Sequence, residues 1–232
     1  MMHQITRYSD SYTAWASWNQ LEYGEKSKYL LSAARKIEKT QPSLSRVVQF
    51  HEKHAARLLK ETHQLVGPTG ETNELYTTGR GVALVIHDNS LANSRLVVIA
   101  HLTAALLAGN SVIVCSDDTD LVSLLESAFQ SAGIPSDVLQ FESLEAYSPL
   151  LETDIRSVGY IGTQENEIAI NRTLSKKTGA IVLLSSETDM TCLSNAQDPA
   201  LSLRFITERT RTINITAVGG NATLLELGSD EH

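Results

Sequence analysis

The sequence predicts an α/β protein built on a doubly wound, mainly parallel sheet, with helices before it and a C-terminal β-ribbon after it. Three observations predict this. Between residues 82 and 184, short β-rich runs alternate with amphipathic segments of helical length, the pattern of strands joined by crossover helices. Residues 1–66 instead repeat their apolar side chains at helical spacing. Residues 208–232 read as two extended arms around Gly219, Gly220 and Asn221, which accept the positive φ angles of tight hairpin turns.

Taken in order, Ser11 to Lys39 is helical, with Trp15, Trp18, Leu21, Leu30, Ala33 and Ile37 at helical spacing and a break at Tyr23-Gly24. Ser43, after Pro42, is the expected cap of a second helix carrying Val47, Val48, Phe50, Ala55 and Leu58. Gly67 to Asn73 is polar and turn-rich, and marks the entry to the main domain. Strands are expected at Val82–His87, Ser111–Cys115, Val138–Phe141, Arg156–Ile161 and Ala180–Leu184. Helices are expected at Leu91–Leu107, Thr119–Ala132 and Gln164–Lys177, the first ending on Gly109 as its C-cap. The resulting architecture is Rossmann-like. Three units follow: helices over 1–66, a sheet domain over 67–207, and the ribbon over 208–232.

A chain of 232 residues, 42% of them hydrophobic, has enough apolar surface to bury a sizeable core. A formal charge of −8 argues against nucleic acid or an anionic membrane as partner. Neither a signal core nor a membrane-length apolar run is present, so the expected location is the cytoplasm. The sequons at Asn171, Asn214 and Asn221 carry no weight there.

Candidate chemistry is thin. His51-Glu52-Lys53-His54 lacks the fifth-position histidine of a zinc-protease helix, since Ala55 stands there, and His51, His54 and His63 read as solvated helix residues. Neither cysteine has a partner at zinc-ligand spacing, so no metal is expected. Cys115 falls at a strand end, where open α/β sheets bind ligands, although a buried packing role is the commoner state of such a thiol. Cys192 reads as the more exposed thiol, without a basic neighbour to activate it. No G-x-G-x-x-G or Walker loop occurs. Gly162-Thr163 could still set helix N-terminal amides beside a phosphate, with Ser116 at the neighbouring strand end; the plainer reading is a βα turn.

Several strings resemble the aldehyde dehydrogenase superfamily. His101 to Val114 (HLTAALLAGNSVIV) is similar to that family's helix, A-A-G-N turn and cofactor strand. Ser131 to Gln140 (SAGIPSDVLQ) is similar to its A-G-(F/I)-P segment, and Ile161-Gly162-Thr163 to its T-G-S turn. A narrower resemblance is to the C-terminal domain of long proline utilization A proteins. It is carried by Gly67 to Leu75 (GPTGETNEL) and Asn214 to Leu224 (NITAVGGNATL). The resemblance implies a link to the NAD-dependent oxidation of 1-pyrroline-5-carboxylate to glutamate.

The departures shape what the resemblance implies. The family's cofactor lysine is replaced within Val114-Cys115-Ser116-Asp117, Glu167 stands where a second glycine is expected, and Leu184-Ser185-Ser186-Glu187 replaces E-L-G-G. The domain with the nucleophilic cysteine has no counterpart between Cys192 and the terminal ribbon. Hydride transfer needs a thiol, oxyanion donors and a clamped nicotinamide. The expected role is therefore a non-catalytic assembly or lid module without a cofactor. It would self-associate, or dock on a proline-catabolic dehydrogenase, through Arg209, Ile213, Asn214, Ile215, Gly219, Gly220, Asn221, Leu224 and Leu225. The alternatives are a truncated NAD-dependent dehydrogenase using Cys192 or Cys115, and a nucleotide-binding module without catalysis.

Overall fold

The structure is a computed structural model that describes residues 2–67, 70–88, 91 and 93–214. Three helices come first: α1 (Met2–Trp18), α2 (Tyr23–Ile37) and α3 (Pro42–Leu59). The first begins before the expected Ser11, and the break falls ahead of Tyr23, where Glu22 and Glu25 form a reciprocal capping box. Pro42 is itself the first residue of α3, a position where its missing N–H has no intrahelical partner to lose, and Gln41 rather than Ser43 is the cap. Trp18 is buried and donates its indole N–H to the Leu106 carbonyl at 3.0 Å, pinning α1 to the main domain.

Two strands follow that the periodicity does not predict, β1 (His63–Leu65) and β2 (Glu71–Gly79). The expected polar turn over Gly67–Asn73 therefore ends earlier, because Glu71 to Asn73 already pair. Tyr76, Thr77 and Thr78 carry the β propensity that marks this strand.

The main sheet then forms from β3 (Val82–His87), β4 (Ser111–Ser116), β5 (Leu139–Glu142), β6 (Ser157–Ile161) and β7 (Leu183–Glu187). Their order is β5-β4-β3-β6-β7, and every pairing is parallel. Helices α4 (Ser94–Leu107), α5 (Thr119–Ser131), α6 (Tyr147–Leu151) and α7 (Gln164–Leu174) make the crossovers. A short α8 (Ser194–Gln197) and the terminal β8 (Ile206–Asn214) complete the described chain. Strand β7 lies three residues beyond the expected Ala180–Leu184. Pairing of Ser157 with Leu183 and Ile161 with Glu187 sets its register, while the apolar Ile181 stays 89% exposed outside it.

Alternation along β3 separates two cores. Ala83 and Val85 face α2 to α5, whereas Val82, Leu84 and Ile86 face Leu150, Leu151, Ile170 and Leu174. Helix α4 is buried on nearly every side between the sheet and α3, which explains its lack of a polar face.

Two histidines lie in these cores. His101 donates from Nδ1 to the Val97 carbonyl at 3.0 Å, and its Nε2 accepts from the Ser185 hydroxyl at 3.3 Å. His51, expected on a solvated helix face, is 2% exposed because α8 covers it, and its Nε2 meets the Ala196 carbonyl at 3.2 Å. Burial pushes both imidazoles down to about 4.

Two outcomes follow from this packing. The folded histidines bind protons less readily than unfolded ones, which titrate near ~6.5. Their stabilisation is complete above that value and is lost as pH falls toward 4, by roughly 3 kcal/mol each. Urea unfolding at pH 7.5 and pH 5 measures the drop, and His51→Gln reduces it. A Cβ on Gly159 would lie 2.8 Å from the His101 ring, so Gly159→Ala lowers stability by roughly 1–3 kcal/mol in the same assay.

Candidate functional site

Strand order reverses between β3 and β6, and at the carboxyl ends of these strands lies a cleft of about 690 Å³. Open parallel sheets bind ligands at this place. His87, Asp88, Arg95, Asp117, Asp118 and Thr163 are among the residues around it. His87 is buried at the end of β3. Ser94 donates its hydroxyl to the Leu91 carbonyl at 2.6 Å, so its oxygen accepts from His87 Nε2–H at 2.7 Å. Nδ1 is then the acceptor of the Ser116 hydroxyl at 2.8 Å, and Ser116 Oγ in turn accepts the Asp118 amide at 3.1 Å. The imidazole is thus held in its Nε2–H form by a chain running from β4 to α4. Ser94 is fully buried, and its hydroxyl lies within hydrogen-bond distance of both the Leu91 carbonyl and the His87 ring.

The cleft's arginine is committed as well. Arg95 binds Asp118 through both nitrogens, Nε to Oδ2 at 2.6 Å and Nη2 to Oδ1 at 2.7 Å. Asp118 also accepts the Leu121 amide and so caps α5. Partial burial raises this carboxyl, but Arg95 and the amide outweigh that and hold it below the ordinary carboxylate range.

The Gly162-Thr163 turn, expected beside a phosphate, is filled by its own chain. A Cβ on Gly162 would stand 2.2 Å from the Tyr160 hydroxyl and 2.9 Å from the Asp88 carbonyl, which is why glycine is needed there. Tyr160 Oη accepts the Thr163 amide at 2.9 Å. Asp88 Oδ2 takes the Asn166 side-chain amide at 2.7 Å and the Tyr160 hydroxyl at 3.3 Å. A carboxylate and a phenol therefore lie where an anion would approach the start of α7.

The two thiols lie apart. Cys115 is fully buried beside Ala146, Leu150 and Tyr160. Burial pushes its thiol far up, with Glu142 and Asp117 adding to the effect. Cys192 is exposed, in a turn whose Thr191 and Cys192 amides donate to Asp189 Oδ1 at 2.8 and 3.2 Å. Among the described residues neither sulfur hydrogen-bonds a histidine. Glu187, buried at the end of β7, gathers the same loop by accepting the Ser194 hydroxyl at 2.8 Å and the Asn195 amide at 2.9 Å. Asp117 and Asp118 are the residues the sequence marks as repelling a phosphate here, whereas nothing in the sequence singles out His87 or Arg95; Asp118, directly before Thr119, also carries a helix-cap signal.

The first arm of the expected ribbon joins a sheet of its own chain. This arm is β8, and it pairs antiparallel with β2 of the same chain over nine residues, from Gly79 opposite Ile206 to Glu71 opposite Asn214. Arg209 stands opposite Tyr76, and Ile213, 46% exposed, opposite Thr72. Arg211 is bonded to Glu74 and lies 5.9 Å from the Tyr76 ring centre. Among the described residues the strand order in this small sheet is β1-β2-β8, with β8 at its edge. From Glu208 to Ile213 its outer side meets no strand among the described residues. Ile215, Gly219, Gly220, Asn221, Leu224 and Leu225 fall outside the described residues.

Removing one partner of the Arg95–Asp118 pair leaves a partly buried charge unmatched. Arg95→Met therefore costs roughly 1–2 kcal/mol, discounted for the pair's partial exposure, and denaturant unfolding of the variant measures it.

No family model and no curated protein sequence matches the chain. Solved structures do. A proline utilization A structure with proline bound in remote sites superposes with a TM-score of 0.72 at 26% identity, over 82% of this chain and 23% of that one. A Bradyrhizobium japonicum proline utilization A variant gives 0.71 at 26% identity, with the same coverage. A Thermus 1-pyrroline-5-carboxylate dehydrogenase with bound NAD gives 0.71 at 17% identity, over 81% of this chain and 42% of that one, and shares the fold. The chain spans less than a quarter of the length of the proline utilization A structures. It carries the aldehyde dehydrogenase superfamily fold and is a distant relative of the proline utilization A proteins.

Proposed function

We propose that the chain is a non-catalytic assembly or lid module of proline catabolism, which acts through the β8 edge and the residues that follow it. The observation that carries this reading is the outer side of β8 from Glu208 to Ile213, which meets no strand among the described residues and is held in register by the ladder to β2. An ordered edge is a template for strand addition, in which main-chain hydrogen bonds supply the contact. Ile213 and, beyond it, Ile215, Leu224 and Leu225 supply apolar area. The occupant is a second copy of the chain, with a 1-pyrroline-5-carboxylate-oxidising dehydrogenase as the other partner this chemistry fits.

Electrostatics supports a role without a cofactor. The switch-point cleft holds Asp88, Asp117 and Asp118, and its arginine is matched by Asp118. A dinucleotide's phosphates would meet net negative charge there. The buried Cys115 and the unassisted Cys192 likewise favour a role other than thiol chemistry.

The test uses the full chain and a version ending at Asn214, which keeps β8 and its ladder. Light scattering should show an assembly of the full chain, or its complex with the dehydrogenase, that truncation abolishes while circular dichroism stays unchanged. Calorimetric titration with NAD should give no heat, and 1-pyrroline-5-carboxylate should give no NADH. An assembly that survives both this truncation and deletion of residues 208–232, which removes the β8 edge as well, or NADH production lost in Cys192→Ala, would sink the reading.

A further inference from the structure

Between the leading helices and the small antiparallel sheet lies a cavity of about 590 Å³, within the size range of small-molecule sites. Trp15 of α1, Lys26 of α2, and Tyr76 and Thr78 of β2 line it. Lys26 is the anomaly. It is only 7% exposed, yet among the described residues its ammonium has no hydrogen-bond or ion-pair partner. Burial pushes the group down to about 8, and Glu22, one helical turn away, acts against that shift. A charge so largely buried is costly without a matching negative group, and the cavity beside it is where such a group would come to rest.

Two further polar atoms on residues of the same wall, Trp15 Nε1 and Thr78 Oγ1, are shielded and without partners. Gly109 keeps the approach to the ammonium open, since a Cβ there would stand 3.2 Å from Nζ and 2.6 Å from the Asn19 side-chain oxygen.

We propose that this cavity binds a small organic monocarboxylate, with Lys26 as its charged anchor. Sign comes first. Lys26, Lys60 and Arg209 line the cavity against Glu22 and Glu61, Arg211 being matched by Glu74, which leaves a small local excess of positive charge in a chain whose net charge is −8. The magnitude of the ligand's charge comes next. Leu107 and Ala108 bring the C-terminal end of α4 to the wall, and its negative dipole end disfavours a dianion. Phosphates are held instead at helix N-termini. Trp15, Tyr76 and Leu107 offer apolar surface to the carbon skeleton of an acid, while the ammonium takes its carboxylate as a charge-assisted bond.

The probe is sodium benzoate, titrated into the ¹⁵N-labelled full chain and followed by two-dimensional NMR. The Trp15 indole signal and the Lys26 and Thr78 amides should shift to saturation. Lys26→Met, which keeps the aliphatic stem and removes the charge, should weaken binding at least tenfold. Ala16→Trp, at an exposed position of α1 that lines the same cavity, should suppress the shifts by filling the space, and it carries the comparison should Lys26→Met not fold. The proposal is overturned if the three signals do not saturate, or if binding is undiminished in the variants. Saturation of the same signals by inorganic phosphate at lower concentration than benzoate would overturn it too.

Discussion

Asn110 joins the two sheets. Its side chain has no exposed surface, and its amide accepts from the Gly81 N–H at 3.1 Å while donating to the Ala105 carbonyl at 3.0 Å and the Phe205 carbonyl at 2.9 Å. Those partners belong to the entry of β3, the last turns of α4 and the residue before β8. Beside it, Gly79 and Gly109 touch so closely that a Cβ on Gly79 would stand 2.4 Å from the Gly109 carbonyl carbon. A buried amide with three of its four valences satisfied is stabilising only in one arrangement. The relative placement of parallel and antiparallel sheets therefore rests on one turn, Ala108-Gly109-Asn110.

Much of the main domain is legible in the sequence because burial on both faces of a parallel strand writes itself as an apolar run. Val82–His87 and Ser111–Ser116 are buried at every position, and both stand out. Legibility fails where burial is partial. Strand β2 is intermediate at eight of its nine positions, so its residues are mostly polar and no periodicity survives. Strand β7 ends in Ser185, Ser186 and Glu187 because it lies at an edge and its polar end binds a loop. The candidate site is less legible still. His87, Ser94, Arg95 and Asp118 come from three elements, and only the sheet order brings them together. His51 was misread for a related reason: nothing local announces that a short helix more than a hundred residues later will cover it.

The same contrast separates the core from the switch-point rim. Apolar packing surrounds α4, β3 and β4. The rim is tied by hydrogen bonds instead, among His87, Ser116, Asp118 and Arg95, and among Asp88, Tyr160 and Asn166. Such cross-linking gives the rim one preferred arrangement.

The ladder between β2 and β8 has a consequence for how the protein is made. Glu74 and Arg211, partners across that ladder, are 137 residues apart in sequence. A contact of such separation forms only after the intervening chain has collapsed, since the entropy of closing the loop is otherwise unrewarded. During synthesis β2 emerges early and waits with an open edge, covered on its other side only by the three residues of β1. The parallel domain lies between β2 and β8 in the sequence, so its folding brings β8 toward the open edge of β2. Until then β2 is the segment of the nascent chain most in need of protection from premature strand pairing.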